Sequence, residues 1–297
     1  MTLSVVIITH NEEGNIGRTL ESVKPLVCDG KGEVIVVDSG STDRTLEIAK
    51  SFGAKVFVEQ WKGFAAQKNS AIDKATGEWI LSLDADEEAD PNLIKEVSWL
   101  LHAMPDWKRN GFPAGNDSRS SEQRDRAIEY GLDKDDLNGF LIPRRNFFLG
   151  RRIKYGGFWP DSKLRLFRSG KGRFQDRVVH ETAQVEGVTG ALQRGTLIHH
   201  SYPTLSDYIE HMNRYSSLGA EMVVAESKGK VRFNVINIVL RPMTTFIYNY
   251  FFRLGFLDGR EGLLLHLYHA VYVSWKYAKA WELSRDKSSP APDRPVV

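Results

Sequence analysis

The chain has 297 residues, 41% hydrophobic and 26% charged, which suffices for a large folded core and excludes wholesale disorder. Its 40 basic and 38 acidic residues leave a net charge of +2, which argues against a dedicated nucleic-acid-binding protein. The single cysteine, Cys28, excludes an intramolecular disulfide and predicts a small, partly buried residue. The opening apolar run is too short for a signal peptide and lacks its basic flank, which predicts a cytoplasmic protein.

Short apolar runs alternate with helical stretches in the first hundred residues. The strands are predicted at Leu3–Ile8, Val34–Val37, Lys55–Val58 and Trp79–Leu83. The helices are predicted at about Ile16–Lys24, Asp43–Phe52, Phe64–Ala75 and Pro91–Ala103. This alternation is typical of an α/β layered sheet, whose ligand site lies at the carboxyl ends of the strands.

The remainder of the chain changes character several times. Residues 105–138 are rich in charge, Gly and Ser, which predicts a solvated insertion, either a surface loop or a lid. Further strands are predicted at Phe140–Pro143, Lys163–Phe167, Arg173–Val179 and Thr196–His200. The pattern therefore predicts a first domain over residues 1–204, a helical region over 205–287 and a disordered tail over 288–297.

The helical region is basic and aromatic. Nine Lys or Arg stand against three Asp or Glu between residues 228 and 285. Its longest uncharged run, Gly262–Trp275, is shorter than the roughly 20 residues that a spanning helix needs. Such helices suit peripheral contact with anionic lipid, and equally suit a packed subdomain or a homo-oligomer interface.

Carboxylates follow two of the predicted strands. Asp84 and Asp86 lie two apart, so their side chains share one side of an extended segment and favour a hard cation, Mg²⁺ or Mn²⁺. Asp38 precedes a tight turn, where its carboxylate can accept hydrogen bonds from a base or a sugar, whereas Asp43 is expected to cap the next helix. Lys68 is either a partner for pyrophosphate or a solvated helix lysine.

Four polar motifs together resemble a known family. They are Thr9-His10-Asn11-Glu12, Asp38-Ser39-Gly40-Ser41-Thr42-Asp43, Gln67-Lys68-Asn69 and Asp84-Ala85-Asp86-Glu87. In order and spacing they resemble glycosyltransferase family 2 enzymes of the GT-A fold. The likeness continues through Pro143–Asn146, Gly156–Asp161, Lys163–Arg168 and Val179–Glu181, a set similar to the branch of lipopolysaccharide core β-glucosyltransferases. It implies a GT-A catalytic domain with a mixed central sheet, followed by amphipathic helices.

The resemblance also implies roles for individual residues. The residues implied to bind the donor are Thr9, Asn11, Glu12, Asp38, Lys68, Asp84 and Ala85. Within that set, Asp38 would contact the base and Lys68 the diphosphate. Asp86 would bind the metal with His199 or His200, of which His199 is preferred, while Trp159 and Asp161 would contact substrate. The charged insertion is longer than expected for this branch, which leaves the acceptor open.

An inverting transfer needs a carboxylate on the acceptor side, because the attacking hydroxyl must lose a proton. Glu181 matches the family motif and is the expected catalytic base, with Asp176 and Asp161 as alternatives. The competing interpretation is a plain salt bridge from Glu181 to Arg173 or Arg177.

The resemblance implies a metal-dependent inverting glycosyltransferase. Its expected donor is a nucleotide diphosphate hexose, with UDP-glucose favoured, and its expected acceptor is an envelope glycan or lipid-linked glycan at the cytoplasmic membrane face. A nucleotidyltransferase is one alternative, disfavoured because Thr9–Glu12 lacks a glycine-rich basic phosphate loop. A non-catalytic nucleotide-sugar-binding subunit is another, and it would not need both Asp86 and Glu181.

Overall fold

The computed structural model describes residues 2–28, 30–110, 125, 128–132, 136–175, 182–228 and 231–286. The chain divides into two compact units. The first comprises Met1–Arg145, Asp161–Asp176 and Glu181–His199, and the second comprises Asn146–Pro160, Arg177–His180 and His200–Val297. The boundary predicted at residue 204 thus differs from this division, which assigns residues 146–160 to the second unit. The predicted tail, 288–297, lies outside the described residues.

Strands and helices alternate through the first hundred residues. The strands, numbered along the chain, are β1 (Leu3–Thr9), β2 (Gly32–Asp38), β3 (Lys55–Val58), β4 (Trp79–Asp84), β5 (Glu87–Ala89), β6 (Leu137–Ile142), β7 (Arg144–Phe148), β8 (Arg151–Arg152), β9 (Lys163–Arg168), β10 (Gly172–Gln175), β11 (Thr182–Val185), β12 (Val188–Ala191) and β13 (Leu197–Tyr202). The helices are α1 (Ile16–Val27), α2 (Thr45–Ser51), α3 (Phe64–Asp73), α4 (Pro91–Asn110), α5 (Leu205–Glu226), α6 (Arg241–Ile247) and α7 (Gly259–Asp286). All four predicted strands and all four predicted helices are present, although α4 continues past its predicted end at Ala103 to Asn110.

A seven-stranded sheet in the order β12-β6-β9-β4-β1-β2-β3 forms the first unit's centre. β1 pairs in parallel with β2 and β4, and β2 pairs in parallel with β3. β9 runs antiparallel to both β4 and β6. This arrangement confirms the predicted α/β fold with a mixed central sheet.

Both faces of this sheet are buried. On β1, Val5 and Ile7 pack on one side with Leu20 of α1, while Val6 packs on the other side with Ile72 of α3. Since alternate strand residues point to opposite faces, a run that is apolar throughout can only be satisfied by a sheet covered on both sides.

One partly buried carboxylate joins the starts of several strands. Glu33 of β2 accepts hydrogen bonds from the Ser4 hydroxyl of β1 at 2.7 Å and from the Thr76 amide at 2.7 Å. Lys55 of β3 forms an ion pair with it at 2.6 Å. Burial raises the pKa of Glu33, but these donors outweigh it and hold the pKa at about 2.

The predicted insertion at 105–138 differs from the structure at both ends. α4 continues beyond Pro105 to Asn110, and β6 already begins at Leu137. Between them, Tyr130 is fully buried and donates a hydrogen bond to Glu96, which also accepts from the amides of residues 193–195. Part of the segment is therefore core rather than solvated loop, and residues 111–124 lie outside the described residues.

The second unit is largely helical, as predicted from Leu205 onward. Phe148, Ile153, Tyr208 and Leu265 form one buried cluster, and a smaller cluster joins α5 to α7. Two π-helical turns, Ile236–Leu240 and Tyr248–Phe252, flank α6. In the described parts of the chain, every helix is too short or too polar to cross a membrane.

Candidate active site

The loops that follow β1 and β2 are hydrogen-bonded to each other. The Asn11 amide donates to the Ser41 hydroxyl oxygen at 2.8 Å, and the Asn11 side-chain oxygen accepts from the Thr42 amide at 2.8 Å. The loops start side by side, because Thr9 and Asp38 are paired at the ends of their strands. They therefore form one continuous edge at the carboxyl ends of the parallel strands, where ligands bind in this class of sheet.

The Asp38 carboxylate stabilises the turn that follows it. Its Oδ1 accepts hydrogen bonds from the Gly40 and Ser41 amides, both at 2.8 Å, and its Oδ2 accepts from the Ser41 hydroxyl. Gly40 has a φ of 95°, a conformation that favours glycine. The fully buried Asp38 carboxylate thus shapes the loop, and its contact with a nucleoside base stays a prediction.

Two further residues anchor this edge to helices. Asp43 Oδ1 accepts from the Thr45 amide at 3.0 Å and its Oδ2 accepts from the Glu13 amide at 3.1 Å, so it stabilises the start of α2 as predicted. The Ala85 carbonyl accepts from the Thr19 hydroxyl of α1 at 2.7 Å. Ala85 therefore holds the loop between Asp84 and Asp86 against α1.

Thr9 carries a buried hydroxyl that has no hydrogen-bond partner among the described residues. The amide group of Gln67, on the first turns of α3, is buried and unsatisfied in the same sense. A buried polar group without a partner costs about 1–3 kcal/mol, so each position favours a ligand that would supply the missing bond.

Asp84 is held between two cations. Its Oδ1 lies 2.7 Å from the Lys68 ammonium, and Arg165 of β9 donates to its Oδ2. Burial raises the pKa of Asp84, but Arg165 and Lys68 outweigh burial and hold the pKa well below its usual range. Lys68 is itself buried, so the interpretation of it as a solvated helix lysine is wrong.

The same network continues through a second carboxylate. Glu87, fully buried, accepts from Arg165 at 2.8 Å and from Arg144 at 3.0 Å. Arg144 reaches on to Asp161 at 2.6 Å, whose other oxygen lies 2.9 Å from Lys163. Asp161, which the sequence predicts to contact substrate, thus lies in a chain of alternating charges that runs back to Asp84.

Asp86 faces His199. Asp86 Oδ2 and His199 Nε2 are 3.2 Å apart, and both side chains are partly exposed. Burial raises the pKa of Asp86, but the neighbouring His199 ring outweighs burial and lowers it overall. The structure therefore brings together the two residues expected to bind the metal, although their backbones belong to different parts of the sequence.

Glu12 adds a further negative charge at this point. Its pKa is raised, first by burial and then by the negative charges of Asp86, Asp43 and Asp84, against one hydrogen bond from Asn15 that lowers it. Three carboxylates from two separate loops therefore lie close enough to Glu12 to raise its pKa, and such a grouping of acidic groups favours a bound cation.

The Asp86 and His199 pair fits two ligands of one divalent ion. Two adjacent ligands of an octahedral Mg²⁺ or Mn²⁺, each about 2.1 Å from it, lie about 3 Å apart, close to the distance between these two atoms. No group of three or more Asp, Glu, His or Cys with metal-binding geometry occurs within the described residues.

The remaining predicted residues belong to the second unit or lie outside the described residues. Trp159 belongs to the second unit, where the Arg152 guanidinium lies 4.7 Å from its ring centroid. The His200 ring stacks on the Phe147 ring with their centroids 5.6 Å apart, whereas the His199 side chain contacts Asp86. Glu181, the expected catalytic base, lies outside the described residues with Asp176, so their roles stay predictions.

A mixed α/β sheet with charged side chains gathered at the carboxyl ends of its parallel strands is typical of proteins that bind a ligand at that edge. The sequence model described as glycosyl transferase family 2 matches residues 4–106. A glycosyltransferase of Rickettsia bellii is 30% identical over 291 residues, covering 95% of this chain and 87% of that protein. The chain belongs to glycosyltransferase family 2 and is a glycosyltransferase, as its motifs predict.

Other relatives extend over the whole chain. The lipopolysaccharide core biosynthesis glycosyltransferase LpsC of Rhizobium meliloti is 28% identical over 304 residues, covering 99% of this chain and 97% of that protein. The crystal structure of S. aureus TarS 1-349 in complex with UDP aligns with 100% of this chain and 94% of its own, at a TM-score of 0.45 and 17% identity.

Sequence reasoning missed three members of the charge network: Glu87, Arg144 and Arg165. Arg165 stands in the alternating stretch Lys163–Arg168, where it occupies a buried position between apolar residues. A charged residue at an inward strand position needs a buried partner, and this was the available signal.

Proposed function

We propose that this glycosyltransferase moves a hexose, with inversion, from a nucleotide diphosphate sugar to a cell-envelope glycan or lipid-linked acceptor such as lipopolysaccharide core. UDP-glucose is the favoured donor. The observation that carries the proposal is the Asp86–His199 pair at 3.2 Å, next to an Asp84 carboxylate fixed by Lys68 and Arg165. The full-length similarity to LpsC supports the acceptor class.

The donor would lie along the edge formed by the first two loops. Thr9 would give its unpaired hydroxyl to the nucleoside, with Asn11, Glu12 and Asp38 shaping the loops around it. Lys68 would bind a diphosphate beside Asp84, because its ammonium group is already held there in a buried position.

Asp86 and His199 would hold Mg²⁺ or Mn²⁺ together with diphosphate oxygens. The ion, when bound, supplies charge neutralisation for the departing nucleoside diphosphate. The negative charges of Glu12 and Asp84 strengthen cation binding at Asp86, and Lys68 with Arg165 keeps the Asp84 carboxylate ionised.

Glu181 would take the proton of the acceptor hydroxyl as that oxygen attacks the anomeric carbon from the face opposite the diphosphate. Asp161 is the weaker alternative, because Arg144 and Lys163 occupy its two oxygens, and accepting a proton there would break both ion pairs. Trp159 would contact the sugar or the acceptor with its indole face.

A panel of nucleotide sugars tests the reaction. Purified enzyme with Mn²⁺ or Mg²⁺ should slowly release nucleoside diphosphate from one donor, and both Asp86→Ala and a chelator should abolish that release. The matched control is Asp73→Ala, since Asp73 is an exposed carboxylate paired with Arg173. Glu181→Gln should keep donor binding and lose transfer to acceptor. Absence of both metal-dependent release and nucleotide binding across the panel would contradict the proposal.

A further inference from the structure

The chain between α5 and α7 exposes an unusual amount of apolar surface. Thirteen large apolar side chains within residues 233–257 are exposed. Scattered exposed apolar residues are ordinary, but a contiguous set of this kind marks an interaction surface. We call residues 232–257 the apolar segment.

The exposed side chains share one face of the segment. Ile236, Leu240, Met243, Ile247 and Phe251 recur every three or four residues and are between 42% and 60% exposed. Residues at that spacing lie on the same side of a helix. Phe252, next to this face, is 75% exposed, the highest value among the large apolar side chains described.

The opposite face of the segment is fixed to α7. The Ile238 carbonyl accepts a hydrogen bond from the Ser274 hydroxyl at 2.8 Å, Arg241 donates to the Tyr277 hydroxyl, and Pro242 is buried. The segment is therefore already packed against α7 through its opposite face, and the exposed face points away from that helix.

α5 and α7 pack against each other. Ala220 and Val224 of α5 pack with Ala280 of α7, and the Lys279 ammonium donates to Asn213 and Ser216 of α5 at 2.6 and 2.7 Å. The two interpretations of the basic, aromatic C-terminal region thus apply to different parts of it. α5 and α7 form a packed subdomain, and the apolar segment remains uncovered.

The segment carries one sign of charge. It contains Arg232, Arg241 and Arg253 and no Asp or Glu. The Arg253 guanidinium lies 5.9 Å from the Tyr248 ring, so basic and aromatic groups are interleaved as they are in interfacial helices. A second copy docked on this segment would bring two segments of the same positive charge together, which opposes self-association.

We propose that the apolar segment inserts the side chains of this face into the interface of an anionic lipid bilayer. The proposal rests on the proposed function for its purpose, since it would retain the enzyme where a lipid-linked acceptor is found. Its test measures lipid binding alone and needs neither donor nor acceptor.

The experiment is co-sedimentation of the full chain with neutral phosphatidylcholine vesicles and with vesicles containing about 30% phosphatidylglycerol. The protein should bind the anionic vesicles at least about tenfold more tightly. Met243→Ser/Ile247→Ser/Phe251→Ser should weaken binding at least about a hundredfold. Arg232→Gln should weaken it about fivefold on anionic vesicles only. The matched control, Phe52→Ser/Leu283→Ser, removes exposed apolar side chains outside the segment and should bind normally.

Equal vesicle binding by the triple variant and the unchanged protein would overturn the proposal. So would equal binding to neutral and anionic vesicles, or a wild-type dimer that the triple variant converts to monomer without any vesicle binding. Release of nucleoside diphosphate, measured without vesicles, separates the two proposals. Loss of vesicle binding in the triple variant, together with no release by the unchanged protein, would sink only the transfer reaction.

Discussion

Arg165 is the cation whose removal should expose the energetics of the site. It donates to Asp84 and, at 2.8 Å, to Glu87, and all three groups lie at the carboxyl end of β4 or beside it. In Arg165→Met the methionine occupies the space of the arginine stem but supplies no charge. The perturbation therefore tests electrostatics more than packing.

The expected loss of unfolding free energy depends on the ion pairs that Asp84 and Glu87 keep in Arg165→Met. Asp84 keeps Lys68 at 2.7 Å, and Glu87 keeps Arg144 at 3.0 Å, so neither carboxylate is left wholly unpaired. The buried cluster nevertheless acquires one excess negative charge. Breaking a buried ion pair costs about 3–5 kcal/mol, and the remaining partners place the expected loss near the lower end, about 3 kcal/mol.

Urea unfolding measures this loss directly. The control is Arg173→Met, because Arg173 forms an exposed ion pair with Asp73 at 2.5 Å, and such pairs contribute at most about 1 kcal/mol. Arg165→Met/Glu87→Gln restores the charge balance and should lose about 1–3 kcal/mol less than the sum of the single variants. A loss below about 1 kcal/mol for Arg165→Met, or strict additivity in the double variant, would refute this account of the network.

Three further predictions concern stability. Burial raises the pKa of Glu33, but the ion pair with Lys55 and neighbouring hydrogen bonds lower it to about 2. Its contribution to the free energy of unfolding is therefore present above pH 4.5 and is lost as the pH falls toward 2. The difference in unfolding free energy between wild type and Glu33→Gln should shrink over that range, and a constant difference would contradict the assignment. Glu96→Gln should cost about 2–4 kcal/mol in urea unfolding, since the buried Glu96 carboxylate accepts from several amides and a tyrosine hydroxyl, and a loss within experimental error would count against it. Gly195→Ala should lower the melting temperature by several degrees, because its Cβ would lie 2.1 Å from Leu93 Cα, and an unchanged melting temperature would show that the backbone yields there.

Local pattern was enough to predict the opening third of the chain. β1 to β4 and the helices between them follow from apolar runs whose period and length specify each element, and parallel strands bring their carboxyl ends together without further information. The pairing of Asp86 with His199 was expected only from the family resemblance, because His199 lies in β13, which pairs with β5 in a different sheet. The role of Asp43 at the start of α2 was also local, because its Thr45 partner is two residues away, whereas its contact with the Glu13 amide spans 30 residues.

Contacts between distant residues were decided by the tertiary structure alone. Arg165 is 81 residues from Asp84, and Arg144 is 57 from Glu87, so neither pairing has a periodic trace in the sequence. The Tyr130 hydroxyl likewise reaches Glu96 across 34 residues, from within a stretch whose composition predicts solvated loop.

The sequence by itself determined the family, the sheet and the residues that end its strands, because motif spacing and apolar period are properties of neighbours along the chain. Only the tertiary structure decided how the charges are used. Lys68 is buried against Asp84 rather than solvated. The Asp38 carboxylate accepts hydrogen bonds from its own turn. The Ile236–Phe251 face remains exposed although α5 and α7 pack against each other. The physical reason is that desolvation and pairing depend on which surfaces meet in space, and a one-dimensional pattern does not specify those meetings.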